Sequence, residues 1–141
     1  MKKIDNDGLL LCEIQAKAFE LSCEAQNTSS EIFIRRFMNS ETAKRLDNMT
    51  LLQSNMQAAD LLVLIDEEYG SSDYGSVKYS LNELYWIGYI YRYWHYYSGE
   101  DSAKILRQAP VETMKRNFMI FHTMDPVLAI EDLKEIHNQK N

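Results

Sequence analysis

Tyr85-Trp86-Ile87-Gly88-Tyr89-Ile90-Tyr91-Arg92-Tyr93-Trp94-His95-Tyr96-Tyr97 decides the fold of this chain. Both tryptophans and most of the tyrosines fall in this stretch of under four helical turns. At roughly 100° per residue the large side chains point in every direction, and a helix apolar all round is an interior helix of a larger bundle. The expected architecture is therefore all-α: one domain over residues 1–141, with six to seven helices wrapped around a central aromatic helix at residues 81–97.

Composition supports that reading. A chain of 141 residues can bury a core without metals or disulfides. Only 5 glycines and 2 prolines leave little material for a turn-rich β fold. The formal charge of −6 repels nucleic acid and anionic membrane and favours basic partners. Cys12 and Cys23 sit about three helical turns apart, roughly 16 Å along the axis, too far to bridge each other. They read as small buried hydrophobes in a reducing compartment. The N-terminal Met1-Lys2-Lys3-Ile4-Asp5-Asn6-Asp7 turns acidic before any long apolar run, so no leader is expected. The aromatic run is too short to span a bilayer and carries Arg92 and His95. A cytoplasmic protein without a membrane partner is the expectation.

Capping signals place the other helices. Apolar residues recur at helical spacing from Leu9 to Ala25, opposite Glu13, Lys17, Glu20 and Glu24. Thr28 with Glu31 has capping-box spacing ahead of Ile32 to Met38, and Ser40 can cap a continuation to Leu46. Thr50 with Gln53 repeats the spacing before an expected helix from Leu51 to Tyr69, which Gly70 ends. The segment from Gly70 to Val77 reads as a mobile loop that could order on binding. Ser80 with Glu83 opens the aromatic helix and Ser98-Gly99 closes it. Further helices are expected from Ser102 to Gln108, from Pro110 to about Thr123, and from Pro126, after the cap Asp125, to about His137.

Few residues carry chemistry. His95, His122 and His137 lie on separate segments with no metal-ligand spacing, and no Gly-rich phosphate loop follows a strand, so neither metal nor cofactor is expected. Glu41 to Leu46, the Asp47-Asn48-Met49 turn and the helix after Thr50 have a helix-turn-helix layout, with Ala43 and Leu46 as packing positions. No Lys or Arg occurs from Leu46 through Val77, however, so that helix could not neutralise phosphates and direct DNA binding is excluded.

Arg116-Asn117-Phe118-Met119-Ile120-Phe121-His122 resembles the Arg-polar-x(n)-His signature of the HEPN superfamily, all-helical domains that include metal-independent ribonucleases and toxins. The resemblance covers seven positions and implies a catalytic pair, His122 for acid/base work and Arg116 for charge stabilisation. A straight helix would put the two about 120° apart, so convergence needs a bend or a second protomer.

Basic residues gather instead at Arg35, Arg36, Lys44 and Arg45, as either a solvated face or an interaction strip. Arg92, inside the aromatic helix, needs a carboxylate such as Asp60 or Asp66, and tyrosine faces to lie on. It shares a side with Tyr85, Gly88 and His95, where Gly88 admits a neighbouring backbone or a ligand; the choices are a satisfied polar seam or a small-molecule sensor pocket. Nine tyrosines are many for a purely apolar core and suit an interface, which leaves homo-oligomers open. With the segments 30–38 and 84–94, the chain is similar to small all-α bacterial proteins of toxin–antitoxin operons, some beside ADP-ribosyltransferase-like toxins. That resemblance implies a non-enzymatic, antitoxin-like partner protein. The expected contact residues are Arg35, Arg36, Tyr74, Arg92 and Tyr96.

Overall fold

A computed structural model describes residues 4–50 and 55–140. The fold is all-α. Eight helices are present among the described residues, with no strand: α1 (Asn6–Ala25), α2 (Ser30–Met38), α3 (Glu41–Asp47), α4 (Ala58–Tyr69), α5 (Leu81–Ser98), α6 (Ser102–Gln108), α7 (Val111–Phe121) and α8 (Pro126–Lys140). The expected count of six to seven is thus exceeded, and none of these helices is long and apolar enough to cross a membrane.

α5 packs most extensively on α1 and also touches α6, α7 and α8. Gly88 explains the closeness of the first pair. A Cβ built there would lie 2.9 Å from the Cα of Ala16 and 3.0 Å from the carbonyl oxygen of Gln15, so only glycine lets the two backbones approach. Beside this contact Phe19 meets Phe33 and Phe37 edge-on, at 5.7 and 5.0 Å between ring centroids, which locks α1 to α2. On α5 itself Leu84, Ile87, Ile90, Tyr91 and Trp94 are buried, whereas Leu81, Asn82 and Tyr85 face solvent.

Several helix starts follow local chemistry as expected. The Ser80 hydroxyl accepts from the Glu83 amide while the Glu83 carboxylate accepts from the Ser80 amide. Ser40 caps α3 and Gly99 ends α5 in the left-handed region at φ 81°; Asp101, not singled out from sequence, caps α6.

Three expectations are corrected. Thr28 is not the cap of α2: Ser29 accepts from the Ile32 amide, and the Thr28 hydroxyl donates to the carbonyl of Tyr74. The helix expected from Leu51 starts only at Ala58, where the Asp60 carboxylate accepts from the Gln57 amide. Met49 and Asn55 hold positive φ, at 58° and 55°, which a helix cannot propagate, and the Thr50 hydroxyl donates back to the Arg45 carbonyl instead of capping forward. Gln53, the other half of that expected box, lies outside the described residues. α4 thus begins at Ala58 and not directly after the Asp47-Asn48-Met49 turn of the expected helix-turn-helix. Glu68, in the last turn of α4, instead accepts from the amides of Glu41 and Thr42, placing an anion at the start of α3.

The segment after α4 is pinned where the sequence suggested mobility. The carbonyl of Tyr74 accepts from the Ser29 amide and that of Val77 from the Ser30 amide. Lys78 Nζ donates to the carbonyls of Gln26 and Thr28, so the strap is tied across the α1–α2 junction at several points.

Candidate functional site

Two polar or aromatic regions of α5 are candidates, and they face different neighbours. The first surrounds Arg92, which is wholly buried. Its Nε donates to Gln15 Oε1 at 2.8 Å, one terminal nitrogen to Asp47 Oδ1, and the other to Ser102 Oγ at 3.0 Å. Gln15 in turn donates to the Gly88 carbonyl, and Asp47 accepts from both the amide and the hydroxyl of Ser102. The guanidinium carbon lies 5.9 Å from the Tyr96 ring centre, and the ring nitrogens of His95 sit 2.6 and 2.9 Å from the carbonyl oxygens of Glu100 and Asp47. The carboxylate is therefore Asp47 rather than Asp60 or Asp66. Asp60 caps α4, and Asp66 accepts from Gln26.

This seam joins α1, α3, α5 and α6 and leaves its donors satisfied. A buried charge costs least when paired and hydrogen-bonded at every donor, and here each guanidinium nitrogen has its own acceptor. Gly88 meets α1 backbone and Phe19 on its open side, which fills the space a ligand would need. Nor does the interior supply a nucleophile: burial pushes the Cys12 thiol up to about 12, against the opposing charge of Arg92, so the thiolate is scarce. Cys12 and Cys23 are both free thiols.

The second region is a groove of about 400 Å³ between α1, α5 and the α7–α8 turn. Trp86 and Ile90 line it from α5, Phe118 from α7, His122 and Met124 from the α7–α8 turn, Pro126 from the start of α8, and Glu20 from α1, with Tyr85 and Tyr89 at its aromatic wall. The tyrosines form a ladder: Tyr85 stacks on Tyr89 at 6.4 Å with 18° between planes, and Tyr89 on Tyr93 at 6.1 Å. Trp86 meets Phe118 edge-on, and the His122 ring stacks on Phe118 at 4.4 Å. Burial raises the Tyr89 hydroxyl to about 12, with the charge of Glu13 adding to it; Tyr85 is raised by burial and by Glu13 and Glu20. The groove is thus lined mainly by apolar and aromatic side chains, with Glu20 as its carboxylate.

Its polar groups are unspent. Trp86 Nε1 is the buried side-chain nitrogen or oxygen without a hydrogen-bond partner among the described residues. Glu20 makes no ion pair among them either. Nearby on the outer faces of α7 and α8, Met119 is 75% exposed, Ile120 70% and Leu128 58%, unusually open for such side chains.

The residues singled out from sequence scatter. Arg92 is an interior residue, which corrects its assignment to a contact surface. Tyr96 is corrected likewise: its hydroxyl donates to the Leu46 carbonyl and its ring is largely covered. Arg35 pairs with Glu31 one turn back at 3.3 Å, while Arg36 lies over the Tyr69 ring at 5.5 Å. Tyr74 is 69% exposed but stands on the strap across α2. Arg116 and His122 are both exposed and do not meet; His122 Nδ1 is 2.8 Å from the Phe118 carbonyl, so the ring closes the end of α7. No group of three or more His, Cys, Asp or Glu side chains converges as a metal site among the described residues.

No protein family, curated protein or solved structure matches the chain.

What sequence reasoning missed is the groove. Tyr85, Trp86 and Tyr89 were legible as aromatic residues, and Glu20 as part of a solvated stripe, but their meeting with Phe118 and Met124 depends on how α7 and α8 return. One signal pointed there: Met119 and Ile120 sit beside Arg116 on a helix whose other face already carries Met114, Phe118 and Phe121.

Proposed function

We propose that this protein is a non-enzymatic binding module, a helical bundle organised around α5, whose partner is another protein docked at the groove between α1, α5 and the α7–α8 turn. The observation that carries this reading is the contrast in satisfaction. Interior polar groups are matched by hydrogen bonds, whereas the groove joins an apolar lining to an unpartnered indole N–H, and Met119 and Ile120, on the same helix as its Phe118, are exposed. Aromatic walls with a polar rim are the usual anatomy of an interface hot spot. The chain's net charge of −6 favours a basic partner over nucleic acid. A toxin encoded beside this chain would be a partner of the kind that the sequence resemblance implies, and an antitoxin-like role follows from that pairing.

The test is site-specific photo-crosslinking in the native host. A photoreactive residue in place of Tyr85 or Met119 is expected to capture one specific protein, and the same residue at Tyr74 is not. For the antitoxin-like role, the captured protein should be encoded next to this chain and should arrest growth when produced alone. Capture at Tyr74 with none at Tyr85 or Met119 would move the docking face to the strap and overturn the assignment.

A further inference from the structure

We infer that the groove is a receptor for an arginine side chain of the partner, held between the tyrosine ladder and Glu20. This rests on the docking reading above and names the chemistry of the group that enters.

Two features together specify a planar cation. Tyr85 and Tyr89 present nearly parallel rings along one side of α5, the platform on which a flat guanidinium stacks. Glu20, from α1, lines the same groove, half-buried and without a cation among the described residues. A carboxylate near aromatic rings can be bridged by a group that is flat, positive and carries several N–H donors, which describes guanidinium better than the compact, strongly hydrated ammonium of lysine. The other ionisable lining residues are Tyr85, Tyr89 and the exposed His122, so within the lining Glu20 is the carboxylate that a guanidinium would meet.

Trp86 adds a requirement for an acceptor. Its Nε1–H is buried and unpaired, whereas the N–H of the other tryptophan, Trp94, donates to Glu100 at 3.1 Å. A cation alone cannot accept a hydrogen bond, but the backbone carbonyl that accompanies an arginine in a peptide can. That favours a protein segment over a free organic cation, and the groove volume of about 400 Å³ is enough for one long side chain with its adjoining backbone.

The probe is a pentapeptide with a central arginine, acetylated and amidated at its ends, titrated into the ¹⁵N-labelled full chain while the two indole N–H resonances are followed. The resonance of Trp86 is expected to move saturably and that of Trp94 to stay. Replacing arginine by citrulline, which keeps the shape and removes the charge, should weaken binding about tenfold or more, as should Glu20→Gln and Tyr85→Leu. Both variants alter accessible side chains, and unchanged melting curves would establish that they fold. Equal binding of the citrulline peptide, indifference to Glu20→Gln, or no shift of Trp86 at millimolar peptide would overturn the inference. Agmatine binding as tightly as the peptide would overturn the assignment to a protein segment. Crosslinks at Tyr85 and Met119 that survive Glu20→Gln would sink the arginine and leave the docking face standing; loss of all such crosslinks in the unaltered chain would sink the docking face itself.

Discussion

One helix bears two polar-aromatic regions of opposite character. Around Arg92, on the side of α5 facing α1, α3 and α6, charge is buried and every guanidinium nitrogen has an acceptor. Around Trp86, on the side facing the α7–α8 turn, an indole N–H and a carboxylate lack partners and the wall stands open. The difference teaches where to look for function in a chain with no reactive constellation: a charge inside a protein is most often spent on holding elements together, while an unspent donor beside an aromatic wall is a surface that gains from being covered.

The sharpest way to break this comparison is to remove the guanidinium. Arg92→Met keeps much of the side-chain volume but leaves the Asp47 carboxylate almost buried and Gln15 without its partner. Breaking such a pair costs ~3–5 kcal/mol, on the order of 10 °C in melting temperature for a domain of this size. Adding Asp47→Asn, which removes the stranded charge but retains an acceptor for the Ser102 amide, should return a substantial part of the loss in urea unfolding. A single-variant cost below ~1 kcal/mol would mean that the seam does not organise the fold, and the contrast with the groove would lose one side.

The Arg92 seam also shows how far sequence could reach. That an arginine within Tyr91-Arg92-Tyr93 must be paired follows from desolvation alone, and Gly88 one turn away signals a close backbone. Both statements use only positions within one helix. Which carboxylate pairs with it does not, because Asp47, at the end of α3, lies 45 residues away in sequence and meets Arg92 only through the packing of α3 against α5 and α6. Helix starts with a Ser cap, such as Ser40 and Ser80, were legible because the capping chemistry is local. The start of α4 was not, since Gln57 is a poor cap in isolation and owes its role to Asp60. The groove was illegible for the same reason as the Asp47 pairing: its walls come from segments about 20, 85 and 120 residues into the chain, and no periodicity within one segment records that meeting.

A smaller effect is expected where the seam reaches the surface. At Glu100, burial would raise the carboxyl, but hydrogen bonds from Ser98, Trp94 and Gln108 and the charge of Lys134 outweigh it and hold the group near 2, below its ordinary 4.5. A carboxylate whose folded value lies below its unfolded value stabilises the fold fully above the unfolded value and loses that contribution as pH falls through the folded one. The loss should therefore run from about pH 4.5 down to about pH 2. Urea midpoints measured at pH 6 and pH 3 should differ less in Glu100→Gln than in the unaltered chain, because the variant has no proton to take up there. An unchanged difference would show that acid sensitivity belongs to other carboxylates.

The smallest effect sharpens the groove side. His122 is exposed, and its contribution to folding consists of one ring stacked on Phe118 and one Nδ1 contact with the carbonyl that ends α7. Removing both in His122→Ala should cost ~0.5–1 kcal/mol, since an exposed aromatic contact and a helix-end hydrogen bond are each worth little. Arg116→Ala should fall within ~0.5 kcal/mol, as an exposed side chain away from buried features. Neither change should alter the fate of RNA incubated with the protein. On a straight helix a separation of six positions puts these two side chains about 120° apart, so a shared phosphate would require the helix to bend or a second protomer to supply the other residue. RNA cleavage that vanishes in both variants while their melting curves stay close to the parent would make the groove rim catalytic. The contrast would then lie between a structural seam and a reactive edge, rather than between a structural seam and a docking surface.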